Sequence, residues 1–370
     1  MNLSYWEIKS WFTNIDFTIV GSGIVGLSCA LHLKETFPKA KILVLEKGML
    51  PQGASTKNAG FACFGSLSEI LDDLKTHSED AVFQLIKKRI DGLSLLRKTL
   101  GDKTIHYKNY GGYELFLNND VLFDTCISKK ETINTFLKPL FKEAVFITKP
   151  NSFHFKNIKP QYIFNPHEGQ IDTGKMMEAL LKKVQQKGIK ILNNILVESY
   201  SENKNSVNVK TNVFEFSTSK LLIATNGFAS QFINDIVKPA RAQVLITKPI
   251  KNLHIKGTFH LDQGYYYFRN IGDRILLGGG RNLDFRAEET TTFAQTALIQ
   301  NTLESLLKTT ILPDISFDIE HRWSGIMGVG NQKNAIVKQV ANNVFCGVRL
   351  GGMGVAIGSL VGKELAELLK

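Results

Sequence analysis

The chain has 370 residues, of which 43% are apolar, and its formal net charge at pH 7 is +11. This length and composition predict a globular protein with room for two domains and exclude a disordered chain. No apolar run is long enough to span a bilayer and residues 1–17 lack a secretion signal, so we expect a cytoplasmic protein. The four cysteines are scattered without paired spacing, which predicts reduced thiols and no metal site. The lysines are dispersed rather than clustered, which disfavours nucleic acid as a partner.

The first predicted elements form a strand, turn, helix and strand over residues 16–47. Residues 17–20 are typical of a buried parallel strand and run directly into Gly21-Ser22-Gly23-Ile24-Val25-Gly26. Gly21 permits a tight turn, Gly23 lets the backbone approach a pyrophosphate, and Gly26 lets the helix lie close to the strand. A second strand ends at Glu46, as expected for an acid that binds the adenosine ribose and repels the 2′-phosphate of NADP. The unit therefore predicts dinucleotide binding, with NAD and FAD both possible.

The segments after this unit alternate between helical and strand-rich patterns. Residues 66–100 have helical spacing, residues 110–123 are typical of a hairpin that turns at 118–120, and residues 144–164 are strand-rich. A helix is predicted from the N-cap Asp172 to Gly188, with strands over 189–196, 207–216 and 220–224 after it. The last elements are long strands with a hairpin turn at 270–273, a helix over about 292–307 and a strand, turn and helix over 343–369. Because segments typical of nucleotide binding lie at the start, middle and end, we predict one such domain that is interrupted twice.

Several motifs in a fixed order make the sequence similar to a known family. They are the glycine triplet, Glu46, residues 53–60 (GASTKNAG), residues 111–113 (GGY), residues 224–227 (ATNG) and residues 351–354 (GGMG). This order resembles the FAD-dependent oxidoreductases of the D-amino-acid oxidase and glycine oxidase superfamily over nearly all of the chain. Ser4-Tyr5-Trp6, Asn58 and the turn at 224–226 most resemble the γ-glutamylputrescine oxidase branch.

The resemblance implies an α/β fold, α+β overall, with a Rossmann-type FAD-binding domain. A second domain with a large mixed or antiparallel sheet and helices interrupts it. We assign residues 1–80, 165–230 and 318–370 to the FAD-binding domain and residues 81–164 and 231–317 to the substrate-binding domain. The FAD is expected to be non-covalent, because the cysteine that binds flavin in sarcosine-oxidase relatives has no match near Met327.

The matched motifs imply FAD contacts made by the backbone and by small side chains. The loop at 54–60 would cover the pyrophosphate and ribityl chain, and the backbone of Val197 would contact adenine. The turn at 351–354 opens a helix whose positive end would face the pyrimidine edge of the flavin. The complete predicted set is Gly21, Gly23, Ile24, Val25, Gly26, Glu46, Lys47, Ala54, Ser55, Asn58, Ala59, Gly60, Val197, Thr225, Asn226, Gly227, Gly325, Gly351, Gly352, Met353 and Gly354.

The resemblance assigns no catalytic side chain and leaves the substrate contacts open. Amino-acid oxidases of the superfamily usually bind the substrate carboxylate with an arginine two residues after a Trp-x-Gly element, where this chain has Met327. A simple α-amino acid is therefore disfavoured. The candidate substrate contacts are Tyr265, Tyr267, Arg269, Arg281, Met327 and Arg349. The competing interpretation is that the arginines lie at the surface or in a salt bridge and that the tyrosines belong to the core.

The implied cofactor defines the expected reaction. In such enzymes a hydride passes from the carbon that bears an amine nitrogen to the flavin, and the resulting imine is hydrolysed. We therefore predict an FAD-dependent amine or amino-acid oxidoreductase with a small-molecule substrate and with oxygen or an electron carrier as acceptor. Three alternatives stay open: a quinone- or carrier-linked dehydrogenase of the same fold, a flavoenzyme that modifies an aminomethyl group of tRNA, and a flavin-binding protein without catalysis.

Overall fold

Two eight-stranded mixed sheets dominate the structure, a computed structural model that describes residues 2–370. Its α-helices are α1 (Tyr5–Glu7), α2 (Ile24–Thr36), α3 (Ala54–Lys57), α4 (Leu67–Thr76), α5 (Glu79–Leu100), α6 (Leu122–Leu137), α7 (Thr173–Gln186), α8 (Ala297–Leu306) and α9 (Gly354–Glu367). Its strands are β1 (Ile15–Val20), β2 (Ile42–Leu45), β3 (Phe61–Ala62), β4 (Gly112–Glu114), β5 (Ile147–Pro150), β6 (Gln161–Asn165), β7 (Gly169–Gln170), β8 (Lys190–Leu192), β9 (Val197–Glu202), β10 (Val207–Thr211), β11 (Glu215–Ile223), β12 (Lys238–Thr247), β13 (Thr258–Leu261), β14 (Tyr266–Ile271), β15 (Arg274–Gly279), β16 (Ile319–Val329), β17 (Ile336–Ala341) and β18 (Val344–Val348).

The first sheet contains the predicted strand, turn and helix unit at its centre. Its order is β17-β18-β11-β1-β2-β8, with β10 and β9 attached beside β11. The strands from β18 to β8 are parallel, and Val20 pairs with both Leu45 and Ile223. The carboxyl ends of these strands therefore meet at one edge, where an open α/β sheet usually binds its ligand.

Both faces of this sheet are covered, which explains why its central strands are apolar throughout rather than alternating. Ile19 packs with α2, α7 and α9 in one core, and its neighbour Val20 packs in the core on the opposite face. Each fully buried aliphatic side chain of this kind stabilises the fold by about 1.5–3 kcal/mol. Helix α2 crosses α9 closely, because an added Cβ at Gly362 would lie 2.6 Å from the carbonyl oxygen of Val25.

The second sheet has the order β16-β12-β15-β14-β13-β4-β6-β5. Its pairs are antiparallel except for β13 and β4, which are parallel. One face packs on α8 around Phe259 and Phe268, whose rings stack with centroids 4.4 Å apart. The opposite face carries Val244, Leu276 and Tyr267 and packs against Ala59 of the loop at 54–60 and Phe61 of β3. The two sheets therefore meet next to the loop at 54–60.

The predicted hairpin over residues 110–123 is wrong. Residues of β4 pair with β13 and β6, which are distant in the chain, and helix α6 begins shortly after the turn. The turn itself is present, since the N–H of Asp120 donates to the carbonyl of Leu117 at 2.9 Å. The side chain of Asp120 then accepts the N–H of Leu122, so the polar residues start a helix instead of returning a strand.

Two other predicted elements have different bounds. Residues 207–216 contain all of β10 and the start of β11, with a turn between them in which the side chain of Thr211 accepts the N–H of Phe214. Helix α8 begins at Ala297, later than the predicted start at 292. The helix after Asp172 is as predicted, and its N-cap carboxylate accepts the N–H of Lys175 at 2.9 Å.

The mixed α/β architecture with two large sheets confirms the predicted fold class. The exact division of the chain into two domains stays a prediction. Within residues 2–370 no helix is both long enough and apolar enough to cross a membrane. Cys29, Cys63, Cys126 and Cys346 are buried free thiols.

Candidate functional site

One large cavity lies where the two sheets meet, at the carboxyl ends of the parallel strands. Its volume is about 610 Å³, within the range of about 300–1,000 Å³ that is usual for ligand pockets. Residues from the start, middle and end of the chain line it, because β1, β11 and β18 end side by side. We call the part near the first glycine turn the nucleotide end and the part lined by the second sheet the substrate end.

The first glycine turn forms one wall of the nucleotide end. Gly21 has φ +105°, and an added Cβ would lie 2.8 Å from the carbonyl oxygen of Ala224. An added Cβ at Gly26 would overlap the carbonyl oxygen of Gly21, although Gly26 itself does not line the cavity. Its role is therefore steric, since it lets α2 start directly against β1.

Glu46 is held rigidly at the end of β2. Its buried carboxylate accepts the N–H and the hydroxyl of Ser22 at 3.1 and 2.7 Å and the N–H of Gly48 at 3.0 Å. Beside it, the Lys47 ammonium lies 3.4 Å from the ring centroid of Phe228, and burial lowers the pKa of Lys47. Val197 lines the same end of the cavity, at the start of β9 rather than on β8.

The loop at 54–60 is fixed by its own hydrogen bonds. The Ser55 hydroxyl accepts the N–H of Ile24 at 2.9 Å, so the loop reaches the first turn of α2 next to Gly23. The Asn58 amide donates to the carbonyls of Ala54 and Ser55, and its oxygen accepts the N–H of Gly60 at 2.8 Å. The Asn58 side chain therefore holds the shape of the loop, while the loop as a whole lines the cavity.

The middle and final turns complete the nucleotide end. The Thr225 hydroxyl is shielded from solvent and has no hydrogen-bond partner among the described residues. Asn226 accepts the N–H of Leu350 at 3.1 Å, while Gly227 lies outside the cavity against the backbone of Met327. An added Cβ at Gly351 or Gly352 would meet nothing within 4 Å, so both glycines border open space.

These features fit a bound dinucleotide. The first turns of α2 and α9 both open on the cavity, and their backbone N–H groups have no partner inside the helix. The open space over Gly351 and Gly352 and the unpartnered hydroxyl of Thr225 leave room and a hydrogen-bonding group for a ligand. Of the predicted cofactor contacts, all line this cavity except Gly26 and Gly227.

The structure brings most of the predicted substrate contacts to the substrate end. Tyr265, Tyr267, Arg281 and Met327 line it, and Arg349 lines the cavity next to the final turn. Arg281 is half-buried with its guanidinium 4.8 Å from the ring centroid of Phe285, and burial lowers its pKa.

Arg269 and Arg349 differ from what their sequence positions indicate. Arg269 is buried behind the loop at 54–60, with its Nη2 2.9 Å from the position of an added Cβ at Gly60, and does not line the cavity. Burial lowers its pKa to about 10, against the opposing effect of Asp172. Arg349 donates to the backbone carbonyls of Asn334 and Ile236 instead of forming a salt bridge.

Sequence reasoning missed a buried ion pair at the substrate end. Nε2 of His260 lies 2.5 Å from a carboxylate oxygen of Glu168, which also accepts the hydroxyl of Thr258 at 2.9 Å. Burial lowers the pKa of His260, but the charge and hydrogen bond of Glu168 outweigh it and raise the pKa to about 9. The Sγ atom of Cys63 lies within 4.8 Å of both groups, and burial raises its thiol pKa. The His260–Glu168 contact is shorter than the separation of two ligands on one tetrahedral zinc ion, so we interpret this cluster as an ion pair.

Other charged residues of the substrate end were also missed. Arg89 on α5 and Glu69 on α4 line the cavity, as does Lys57 on α3. No local motif marks them, because both longer helices have an ordinary amphipathic pattern. The only sequence signal was a charged residue on a helix face that otherwise carries apolar residues.

Comparison with known proteins shows the family to which the chain belongs. Residues 16–368 match the family described as FAD dependent oxidoreductase, abbreviated DAO. The chain belongs to this family. It is therefore an FAD-dependent enzyme, as predicted, and FAD rather than NAD is its cofactor.

Individual family relatives are distant in sequence. A Haemophilus influenzae protein named probable oxidoreductase OrdL is 20% identical over 362 residues, which are 96% of this chain and 82% of that protein. Glycine oxidase from Geobacillus kaustophilus has a TM-score of 0.76 at 17% identity, over 96% of this chain and 94% of that chain. Iminodiacetate oxidase from Chelativorans sp. BNC1 has a TM-score of 0.75 at 18% identity, over 95% of each chain. These structures share the fold of this enzyme.

Proposed function

We propose that this enzyme oxidises the C–N bond of an amine or amino acid to an imine, which water then hydrolyses. The observation that carries the proposal is the single cavity with a nucleotide end made of backbone turns and a substrate end made of charged and aromatic side chains. Bound FAD supplies the hydride acceptor in this chemistry. The names of glycine oxidase and iminodiacetate oxidase, which share the fold, support an amine substrate.

The nucleotide end would hold FAD through the residues described above. The first turns of α2 and α9 would bind negative charge, Glu46 would accept hydrogen bonds from ribose, and the loop at 54–60 would cover the middle of the cofactor. The enzyme would bind FAD non-covalently, because no cysteine stands near Met327, where sarcosine-oxidase relatives have the one that binds flavin. We also propose the two-domain division given above, with the cavity between the domains.

The substrate end would orient the amine rather than take part in covalent catalysis. Phe61 and Tyr267 pack edge to face with centroids 5.6 Å apart and give this part of the cavity an aromatic wall. His260 keeps a proton between its Nε2 and Glu168 at neutral pH, so we assign it no role as a general base.

The finer placement of the enzyme within its family is part of the same proposal. The residues Ser4-Tyr5-Trp6 and Asn58 support a relation to the γ-glutamylputrescine oxidase branch. Met327, which stands where related amino-acid oxidases have an arginine, supports a substrate other than a simple α-amino acid.

An anaerobic flavin-bleaching screen tests the proposed function. Purified protein is mixed without oxygen with α-amino acids, N-methyl amino acids and polyamine derivatives, and loss of the yellow flavin absorbance is followed. We expect at least one amine to bleach the flavin, whereas bleaching by none of the three classes would contradict the proposal.

Oxygen consumption with that amine then separates an oxidase from a quinone- or carrier-linked dehydrogenase. Salt-sensitive tRNA binding that competes with turnover would instead support the tRNA-modifying alternative.

A further inference from the structure

Arg89 is a buried cation without a charged partner. It lies on α5 with 5% of its surface exposed, and no carboxylate of residues 2–370 comes within 4.0 Å of its guanidinium. Its Nη1 donates to the carbonyl of Phe64 at 2.8 Å, while its shielded Nε has no partner among the described residues. A buried charge in this state is costly, which indicates that an anion completes the site when the ligand is bound.

A second buried arginine shows what a structural role looks like in this fold. Arg241 makes two parallel hydrogen bonds to Glu288, at 2.8 and 2.7 Å, and does not line the cavity. Arg89 has the same burial but lines the cavity and lacks the carboxylate. The difference between the two arginines is therefore the missing partner and the access to the cavity.

The position of Arg89 is fixed by the packing of α5 on α9. Gly92 lies one turn further along α5, and an added Cβ there would overlap the carbonyl oxygen of Ala356 in the first turn of α9. The Sγ atom of Cys63 lies 3.9 Å from Sδ of Met353 at the start of the same helix. Burial has the largest effect on the thiol pKa of Cys63, and the charges of Arg89, Glu69 and Glu168 also act on it. Arg89 therefore lies beside the final glycine turn, on the side of the substrate end.

The neighbouring acids are occupied by other groups. Glu168 binds His260 and Thr258, and Glu114 is held by the hydroxyls of Ser66 and Ser68. Glu69 accepts the N–H of Ser66 at 2.9 Å as part of the cap of α4. None of these carboxylates forms an ion pair with Arg89, so its charge is free to act on a ligand.

We propose that Arg89 binds a carboxylate group of the substrate and so selects amines that carry one. The planar guanidinium of arginine matches a carboxylate with two parallel hydrogen bonds. Arg89 would bind this carboxylate from a helix, whereas the arginine of related amino-acid oxidases stands at the strand position that Met327 occupies here. This inference rests on the proposed function, and it names the substrate class for the same cavity.

Carboxylate binding to the FAD-bound enzyme tests the inference without turnover. The probe is benzoate, with benzamide as its uncharged match, and the Kd is read from the change in the visible flavin spectrum. The variants are Arg89→Met, Arg89→Lys and, as control, Arg97→Met. Arg97 lies on the same helix but pairs with Asp102 at the surface.

We expect Arg89→Met to raise the benzoate Kd about 10- to 100-fold and to leave the benzamide Kd unchanged, since a charged hydrogen-bonding partner is lost. Arg89→Lys should give an intermediate value, and Arg97→Met should match the wild type. A benzoate Kd that is the same in the wild type and Arg89→Met would overturn the inference, as would a lowered flavin potential in that variant with unchanged benzoate binding.

Three further outcomes keep the inference separate from folding and from the proposed function. If Arg89→Met does not fold, Arg89→Lys decides, because an unchanged benzoate Kd in that variant contradicts bidentate binding. If the wild-type protein binds no FAD, the proposed function fails. If it binds FAD but benzoate no better than benzamide, only the role of Arg89 fails.

Discussion

The two ends of the cavity are built in different ways. The nucleotide end consists of turns at strand ends, where backbone groups and glycines do most of the work and each turn is contiguous in sequence. The substrate end is assembled from single side chains on α4, α5, β3 and the second sheet, such as Glu69, Arg89 and His260. The fold constrains the backbone geometry of the turns, whereas it does not determine which side chains stand at isolated positions. Under the proposed function, the first end would hold the cofactor and the second end would distinguish substrates.

The largest expected effect comes from the paired arginine of the second sheet. Glu288→Gln should lower the free energy of unfolding by about 3–5 kcal/mol, because Arg241 is left as a buried charge without its partner. Urea denaturation measures this loss. Arg89→Met removes an arginine that has no such partner and should lower the free energy of unfolding far less. Equal losses in the two variants would remove the distinction between a structural arginine and a ligand-binding one.

A pair of glycine variants separates packing from cofactor access at the nucleotide end. Gly26→Ala should lower the free energy of unfolding of the apoprotein by about 1–3 kcal/mol, because the new methyl group overlaps the backbone of Gly21. Gly352→Ala adds its methyl group to open space and should leave apoprotein stability unchanged while weakening FAD binding. Thermal unfolding and FAD titration measure the two effects. A Gly352→Ala variant that binds FAD like the wild type would argue against the cofactor position proposed here.

The ion pair at the substrate end predicts a dependence of stability on pH. The pKa of His260 is raised to about 9, so its contribution is fully present below pH 6.5, its ordinary pKa, and is lost as the pH rises through 9. We expect a loss of about 3 kcal/mol across this window. Urea denaturation at several pH values should show the loss in the wild type and a smaller one in His260→Gln. Parallel pH profiles of the two proteins would show that the pair does not hold the proton.

The smallest expected effect is at the contact between the loop and the first turn of α2. Ser55→Ala removes the hydroxyl that accepts the N–H of Ile24 and should cost about 0.5–2 kcal/mol in apoprotein stability, as loss of an N-cap does. Differential scanning fluorimetry measures the change. Thr56→Ala is a nearby control, since its hydroxyl donates to the carbonyls of Pro51 and Gly53 and does not reach α2. Equal shifts in both variants would mean that the loop is stabilised as a whole.

The sequence predicted the nucleotide end because its signals are local. Each signal has a fixed place after a strand: two are glycine turns, at 21–26 and 351–354, and the third is the acid Glu46. Such a combination can be recognised in the sequence without knowledge of the tertiary structure. The family membership follows from the order of these motifs. The predicted contacts themselves remain a prediction, although the structure collects them around one cavity.

The rest of the molecule could not be predicted from local signals, because it depends on contacts between residues that are distant in sequence. The strand β4 pairs with β13, so a turn at 118–120 that is typical of a hairpin instead leads into α6. The pair of Glu168 and His260 joins segments that are 92 residues apart. In the sequence, Arg89 is one charge on an amphipathic helix, and only the packing of α5 on α9 places it at the cavity.

The close crossing of α2 and α9 has a consequence for the rate of folding. Helix α2 ends at Thr36, whereas α9, which packs on it through Gly362, begins at Gly354. Contacts between residues so distant in sequence form late and slow the folding of a domain. The helix that follows the first glycine turn therefore gains its packing against α9 only late, and we expect refolding of the protein to be slow.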